Sequence, residues 1–347
     1  VSNKRFRLAT VIRLLVVAFV IQVFLIPQIG GARKALHTIG DINPIRVVIV
    51  VLLEALAIIA YAELTRVFLT DEHRPGLGTC TGVTLASLGV SHVVPGGAAT
   101  TVAVNYRLYG RAGVPGTELG FALAAQAIGS AIILNLILWT ALVWSIPVRG
   151  FQPGYATAAA IGAILMIASA AAVVGLMRGE DAFALRAAAF VSRLPKVEED
   201  AVERGIRTVA TQLRNLVEDP ARLRRGSVIA AVNWLLDAAA LWVALTAFGH
   251  SPGIVGLLVA YGLANVMAAV PITPGGLGVI EAVLIPTLVA FGAPASVAAV
   301  GVVAYRMVNF WLPIPVGFVA YTILDRRLAF DTPDHGVRPA LDDLTDP

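Results

Sequence analysis

The tripeptide Pro-Gly-Gly occurs twice in this chain, at Pro95-Gly96-Gly97 and Pro274-Gly275-Gly276, each time inside an apolar stretch. Gly113 and Pro115 map onto Gly292 and Pro294 at the same offset of 179 that relates the two tripeptides. Proline removes a backbone donor and glycine a side chain, so each copy interrupts a helix. Interrupted apolar segments at corresponding places in two halves of a membrane chain point to a transport site.

The surroundings of the breaks are membrane-like. Of 347 residues, 58% are hydrophobic and 14% charged, against about 25% charged in an ordinary soluble domain. Apolar runs close to the ~20 residues that cross a bilayer recur along the chain. Full spans are expected at roughly 11–27, 44–64, 117–146, 153–177, 226–249 and 295–324. The run 11–27 follows Lys4, Arg5, Arg7 and Arg13 like a signal peptide, but no small-residue cleavage site follows it, so an uncleaved span is expected.

The broken stretches 79–112 and 254–292 have halves too short to cross ~30 Å of hydrocarbon comfortably. Each is therefore expected to be a re-entrant helical hairpin. The expected architecture is an all-α polytopic integral membrane protein, with about six full spans plus two re-entrant hairpins in an inverted-topology repeat. The chain forms a single membrane domain, 1–347, with a first repeat over 11–146 and a second over 153–325.

Charge supports that topology. With both hairpins re-entrant, segments on the N-terminal side of the membrane hold 21 of the 26 Lys and Arg, opposite loops hold Arg33, Lys34, Arg46 and Arg149, and Arg306 lies within a span. Such a bias places both termini in the cytoplasm. The net charge of +4 is too small to imply nucleic acid. Segment 178–225 is rich in charge, and Val202, Ile206, Val209, Leu213 and Leu216 recur at helical spacing, so a cytoplasmic amphipathic loop is expected there. The polar stretch 326–347, with its acidic residues and three prolines, is expected to be a disordered tail.

A helix that starts after Pro-Gly-Gly offers its first N–H groups and its positive dipole end to an anion. Two such ends, Pro95, Gly96, Gly97 and Pro274, Gly275, Gly276, Gly278, would cradle a phosphate, as in a lipid headgroup; turning the hairpin tip is the purely structural alternative. Ionisable residues inside spans are expensive and are paired or functional. Glu281 and Arg306 are expected to pair, with Asn309 one turn beyond Arg306; Arg306 grasping phosphate while Glu281 handles a proton or a cationic headgroup is the functional alternative. Arg107 is expected near the inner interface, free to snorkel or attract headgroups.

His92 has no metal-ligand companion, and a structural role is expected for it. Glu54, Glu63, Glu118 and Asp237 are too scattered in sequence to define a carboxylate pair. Cys80 is the single cysteine, which excludes an internal disulfide. No nucleotide-binding, zinc-hydrolase or nucleophile-elbow fingerprint occurs in a suitable context, and no cofactor or metal is expected.

The run Pro271-Ile272-Thr273-Pro274-Gly275-Gly276-Leu277-Gly278-Val279-Ile280-Glu281 resembles the flippase-like membrane domain of bacterial lysylphosphatidylglycerol synthases. Pro95-Gly96-Gly97 with Arg107, and Tyr305-Arg306 with Pro313 and Gly317, are similar to that family's other marks, and the resemblance covers nearly the whole chain. It implies a bacterial cytoplasmic-membrane protein that moves a phospholipid or other anionic amphiphile, such as a polyprenyl-phosphate carrier, between leaflets. The full synthases also carry an aminoacyl-transfer domain, for which a chain ending at Pro347 is expected to have no room. Two alternatives stand beside transport: an integral membrane transferase acting on a lipid-linked sugar, and a non-transporting partner of a cell-envelope synthase.

Overall fold

The computed structural model describes residues 44–94, 97–149, 167, 219–268 and 273–331, and every regular element among them is helical. In chain order the helices are α1 (Pro44–Phe68), α2 (Leu77–Val93), α3 (Gly97–Arg111), α4 (Gly116–Arg149), α5 (Pro220–Thr246) and α6 (Ile254–Ala268). A 3-10 turn at Pro274–Gly276 leads to α7 (Val279–Ala290), α8 (Ala295–Arg306), a π turn (Met307–Trp311) and α9 (Pro313–Asp331). The expected spans at 11–27 and 153–177, most of the loop 178–225, and the tail beyond Asp331 lie outside the described residues, as do Pro95 and Gly96.

Among the described residues, four helices are long and apolar enough to cross a membrane: α1, α4 to Ser145, α5, and the α8–α9 unit from Ala295 to Leu328. Their outward faces carry Ile45, Val48, Leu52, Leu56, Trp144, Val228 and Phe318, all well exposed. A helix that is apolar on both its packed and its exposed faces is a membrane helix, because hydrocarbon is the only solvent that such a surface suits. The chain is a membrane protein. Two expected boundaries shift. Helix α5 begins at Pro220, inside the expected loop, because Asp219 caps it by accepting the Arg222 N–H at 2.9 Å and Pro220 suits the first helical position. Helix α9 runs on to Asp331, into the expected disordered tail, with Leu328 packed on the core.

Shifting α4's start, Gly116, by the 179 offset lands on Ala295, the start of α8. Helix α2 lies on α9, α6 on α4, and α1 on α5.

Helices α1 and α5 run antiparallel. Arg46 near the start of α1 reaches the Thr246 carbonyl at the end of α5, Asn233 donates to the Ala57 carbonyl, and Arg222 at the start of α5 donates to Val67 at the end of α1. Helices α2 and α9 are also antiparallel, with His92 against Phe310 and Gly82 against Leu324. Gly89 and Gly317 let these two backbones nearly touch, since a Cβ on either would collide with the other helix. Small residues at such crossings are how membrane helices pack without a hydrophobic driving force.

Helices α2 and α3 are shorter than the four long apolar helices. Helix α2, with 17 residues, rises about 25 Å, and α3, with 15, about 22 Å. Their outer ends lie beside the end of α1, where Arg111 and Arg107 meet Asp325 of α9. The tip, at His92, stops beside Gly275 and Phe310, level with the middle of α1. The α6–α7 hairpin starts from the opposite end, where Thr246 meets Arg46. Among the described residues two apolar cores result, one around Leu64, Cys80, Leu108 and Leu119 and the other around Leu138, Leu241, Tyr261 and Leu284. A polar layer separates them.

Candidate functional site

That layer is a cavity of about 570 Å³, within the range of small-molecule sites. It is lined at mid-height by α1 (Glu54 to Tyr61), α4 (Ala127 to Leu134) and α5 (Asn233 to Asp237), and closed by the two hairpin tips through His92 and Gly275. Contributions from both halves and a position midway along three spans place it at membrane depth.

The second tip owes its path to glycine. Gly275, Gly276 and Gly278 have φ of 54°, 68° and 83°, a region costly for residues with a Cβ. Three of its N–H groups already have acceptors within the tip. Gly276 donates to the Thr273 carbonyl, Leu277 to Pro274, and Gly278 to Glu281 Oε2 at 2.7 Å. Within the expected cradle at Pro274-Gly275-Gly276-Gly278, the Glu281 carboxylate caps the helix start, since a carboxylate three residues on satisfies it better than water can in an apolar setting. The first tip offers only Gly97 for comparison, as the first residue of α3.

Arg306 is the cation of the site and is 2% exposed. Its Nε donates to Glu281 Oε1 at 2.8 Å, its two Nη atoms to Asn309 Oδ1 and the Gly275 carbonyl at 3.2 Å each, and its plane lies over Phe310. The expected Glu281–Arg306 pair is present. The π turn that follows Arg306 brings Asn309 onto the same cavity wall, a common use of π geometry at functional sites. Of five guanidinium N–H donors, these contacts engage three.

Glu54 and Asp237, too distant in sequence to be read as a pair, meet here. Asn309 Nδ2 donates to Glu54 Oε2 at 3.3 Å and to Asp237 Oδ1 at 3.2 Å. Tyr305 and Tyr261 hydroxyls donate to the two Asp237 oxygens at 2.6 and 2.7 Å. Antiparallel packing of α1 on α5 sets positions 54 and 237 at one level. Glu63 and Glu118 belong instead to the outer end, where Glu63 meets Arg66 and Arg225 and Glu118 meets Thr70 and His73.

Arg107 does not line the cavity. It is half-exposed on Asp325 at 3.0 Å, over the Tyr321 ring. His92 has the expected structural contacts, Nδ1 with the Phe310 carbonyl at 2.9 Å and a ring stacked on Phe310, yet it also lines the cavity. Three further wall atoms, Glu54 Oε1, Ser130 Oγ and Thr273 Oγ1, are buried without a hydrogen-bond partner among the described residues. Orphaned polar atoms are rare in native structures, and three on one cavity mark it as built for a polar occupant. Among the described residues no cluster of metal-binding side chains occurs.

The sequence as a whole matches the family described as the lysylphosphatidylglycerol synthase transmembrane region, over residues 9–317. The chain belongs to this family. It is similar to a UPF0104 membrane protein of Methanothermobacter thermautotrophicus, with 25% identity over 90% of this chain and 93% of the relative. Another match of that name in the same organism, also 25% identical, covers 38% of this chain and 40% of the relative. The inner membrane protein YbhN of Escherichia coli is 26% identical over 29% of this chain and 30% of its own. The chain thus spans less than half the length of some relatives and nearly all of another.

Proposed function

We propose that this family member is a lipid transporter of the bacterial cytoplasmic membrane, moving an anionic amphiphile between leaflets. The observation that carries the reading is the polar cavity at membrane depth, walled by both halves of the chain and holding Arg306. Irregular backbone such as the 273–278 loop is tolerated at that depth only when buried in protein or lining a wet cavity. Arg306 has N–H donors to spare, and its weaker partners, Asn309 and the Gly275 carbonyl, are neutral acceptors that a phosphate oxygen displaces. Glu281 keeps the guanidinium oriented meanwhile.

An inverted-topology repeat fits this arrangement, with α1–α4 matched to α5–α9 in element order. Matched helices α1 and α5 run antiparallel, and the α2–α3 and α6–α7 hairpins start from opposite ends, with His92 beside Gly275. Rocking one half against the other about a central site is the alternating-access scheme of such repeats. Arg66, Arg74, Arg107, Arg111, Arg222 and Arg225 gather at the end where α1 stops and α5 starts, which makes that end cytoplasmic under the positive-inside rule.

Reconstitution tests the reading: the protein moves fluorescent phosphatidylglycerol across vesicle membranes, and Ala127→Trp, which fills the cavity without touching its ion pairs, stops it. The carboxyl pair favours one further reading, an integral membrane transferase with Glu54 or Asp237 as acid or base. Turnover of a polyprenyl-phosphate sugar by purified protein supports that reading in place of transport.

A further inference from the structure

We propose that Glu54 and Asp237 together hold one exchangeable proton, and that this proton enters the cavity with the anion and drives its transport. The proposal rests on the transport reading and adds its energy source. It begins from the charges around the cavity. Arg306 is matched by Glu281 at 2.8 Å, which leaves Glu54 and Asp237 facing only neutral donors. Those donors are Asn309, Tyr261 and Tyr305. They leave Glu54 Oε1 with none, although Glu54 is 5% exposed and its other oxygen meets Asp237 at the same Asn309 amide nitrogen. Two acceptor-only groups, Glu54 buried and Asp237 half-buried, share the Asn309 amide and lack one hydrogen between them. A proton bound to one carboxyl oxygen supplies it, as an O–H donated to the other, and turns two adjacent negative charges into one.

The other groups facing the pair do not substitute for it. From α1 the wall adds Tyr61, from α2 His92, from α8 Arg306, and from α4 only uncharged side chains. His92 is turned to the Phe310 carbonyl, and Glu281 reaches the pair only through Arg306. With the pair deprotonated, three carboxylates surround one guanidinium, and an incoming phosphate meets a net negative wall. With one proton on the pair, that repulsion falls while Arg306 still offers its donors. When the cavity opens to the opposite side, the O–H bond breaks, the proton passes to water, and restored repulsion expels the anion.

Two measurements on the full chain in phosphatidylglycerol vesicles test this. Infrared difference spectroscopy on exchange from H2O to D2O should show a protonated-carboxyl stretching band that shifts, and that is absent from Glu54→Gln and from Asp237→Asn. Labelled phosphatidylglycerol should move toward the alkaline side, with its distribution biased by up to about tenfold per pH unit, and Glu54→Gln should lose the bias. Glu54→Gln supplies the missing hydrogen through its amide, so it folds, and Asp237→Asn serves as the independent check. No band in the wild type overturns the proton site whatever the lipid does. Lipid movement that ignores a proton gradient, or follows a sodium gradient, overturns the coupling and leaves transport standing. A band without any lipid movement overturns transport and coupling and supports the proton site alone.

Discussion

Arg306 and Glu281 form a buried ion pair at 2.8 Å, and the same carboxylate caps the helix that starts at the second Pro-Gly-Gly. One side chain thereby fixes both the guanidinium and the hairpin tip. Removing one partner of a buried pair strands the other charge, at about 3–5 kcal/mol. Glu281→Ala should therefore lower the thermal midpoint of the purified protein sharply. The paired replacement Glu281→Leu with Arg306→Met should lose less stability than Glu281→Ala while remaining inactive, which calorimetry in detergent will separate.

Gly275 needs both its backbone angle and its missing side chain. At φ 54° a Cβ would also lie 2.5 Å from the Phe310 ring and 2.7 Å from His92. Gly249 has a comparable φ of 82° but open space around it. Gly249→Ala should cost only the backbone term, about 1–2 kcal/mol, and Gly275→Ala clearly more. Equal midpoint shifts for the two would remove the packed tip from the account.

At the α2–α9 crossing, Gly317 lies against the Leu85 carbonyl, so Gly317→Leu should prevent the helices from meeting and abolish folding, read as loss of monodisperse protein on size exclusion. Gly110, exposed on α3 with no neighbour in reach, is the control. Gly110→Ala should be neutral or stabilising by up to about 1 kcal/mol.

Arg107 sits outside the cavity with half of its side chain in solvent. A pair of that exposure is worth under about 1 kcal/mol, so Arg107→Gln should leave both the thermal midpoint and the transport rate close to wild type. A loss of transport as large as that of Arg306→Ala would put Arg107 back among the substrate contacts.

Much of this was legible in the chain because membrane physics leaves few choices. The helix break at Pro274-Gly275-Gly276 follows from proline and glycine chemistry, and the Glu281–Arg306 pair from the cost of an unpaired charge in hydrocarbon. Glu54 and Asp237 were not legible, since no local spacing links residues on α1 and α5. Their meeting depends on the antiparallel register set by Arg46 with Thr246 and Asn233 with Ala57. The cap at Gly278 was hidden for another reason. The Glu281 carboxylate has two oxygens, and no charge pattern in the sequence shows that the second one turns back to its own helix start.

The most direct test of the central claim is lipid translocation in sealed vesicles. Purified wild-type protein, Ala127→Trp and Arg306→Ala are reconstituted at equal density with fluorescent phosphatidylglycerol, and its loss from the outer leaflet is followed. A charge-assisted hydrogen bond is worth about 1.5–3 kcal/mol, so wild type should equilibrate the lipid while Arg306→Ala falls by about ten- to hundredfold and Ala127→Trp is blocked. Wild-type vesicles no faster than protein-free vesicles, or an unimpaired Ala127→Trp, would contradict transport through this cavity.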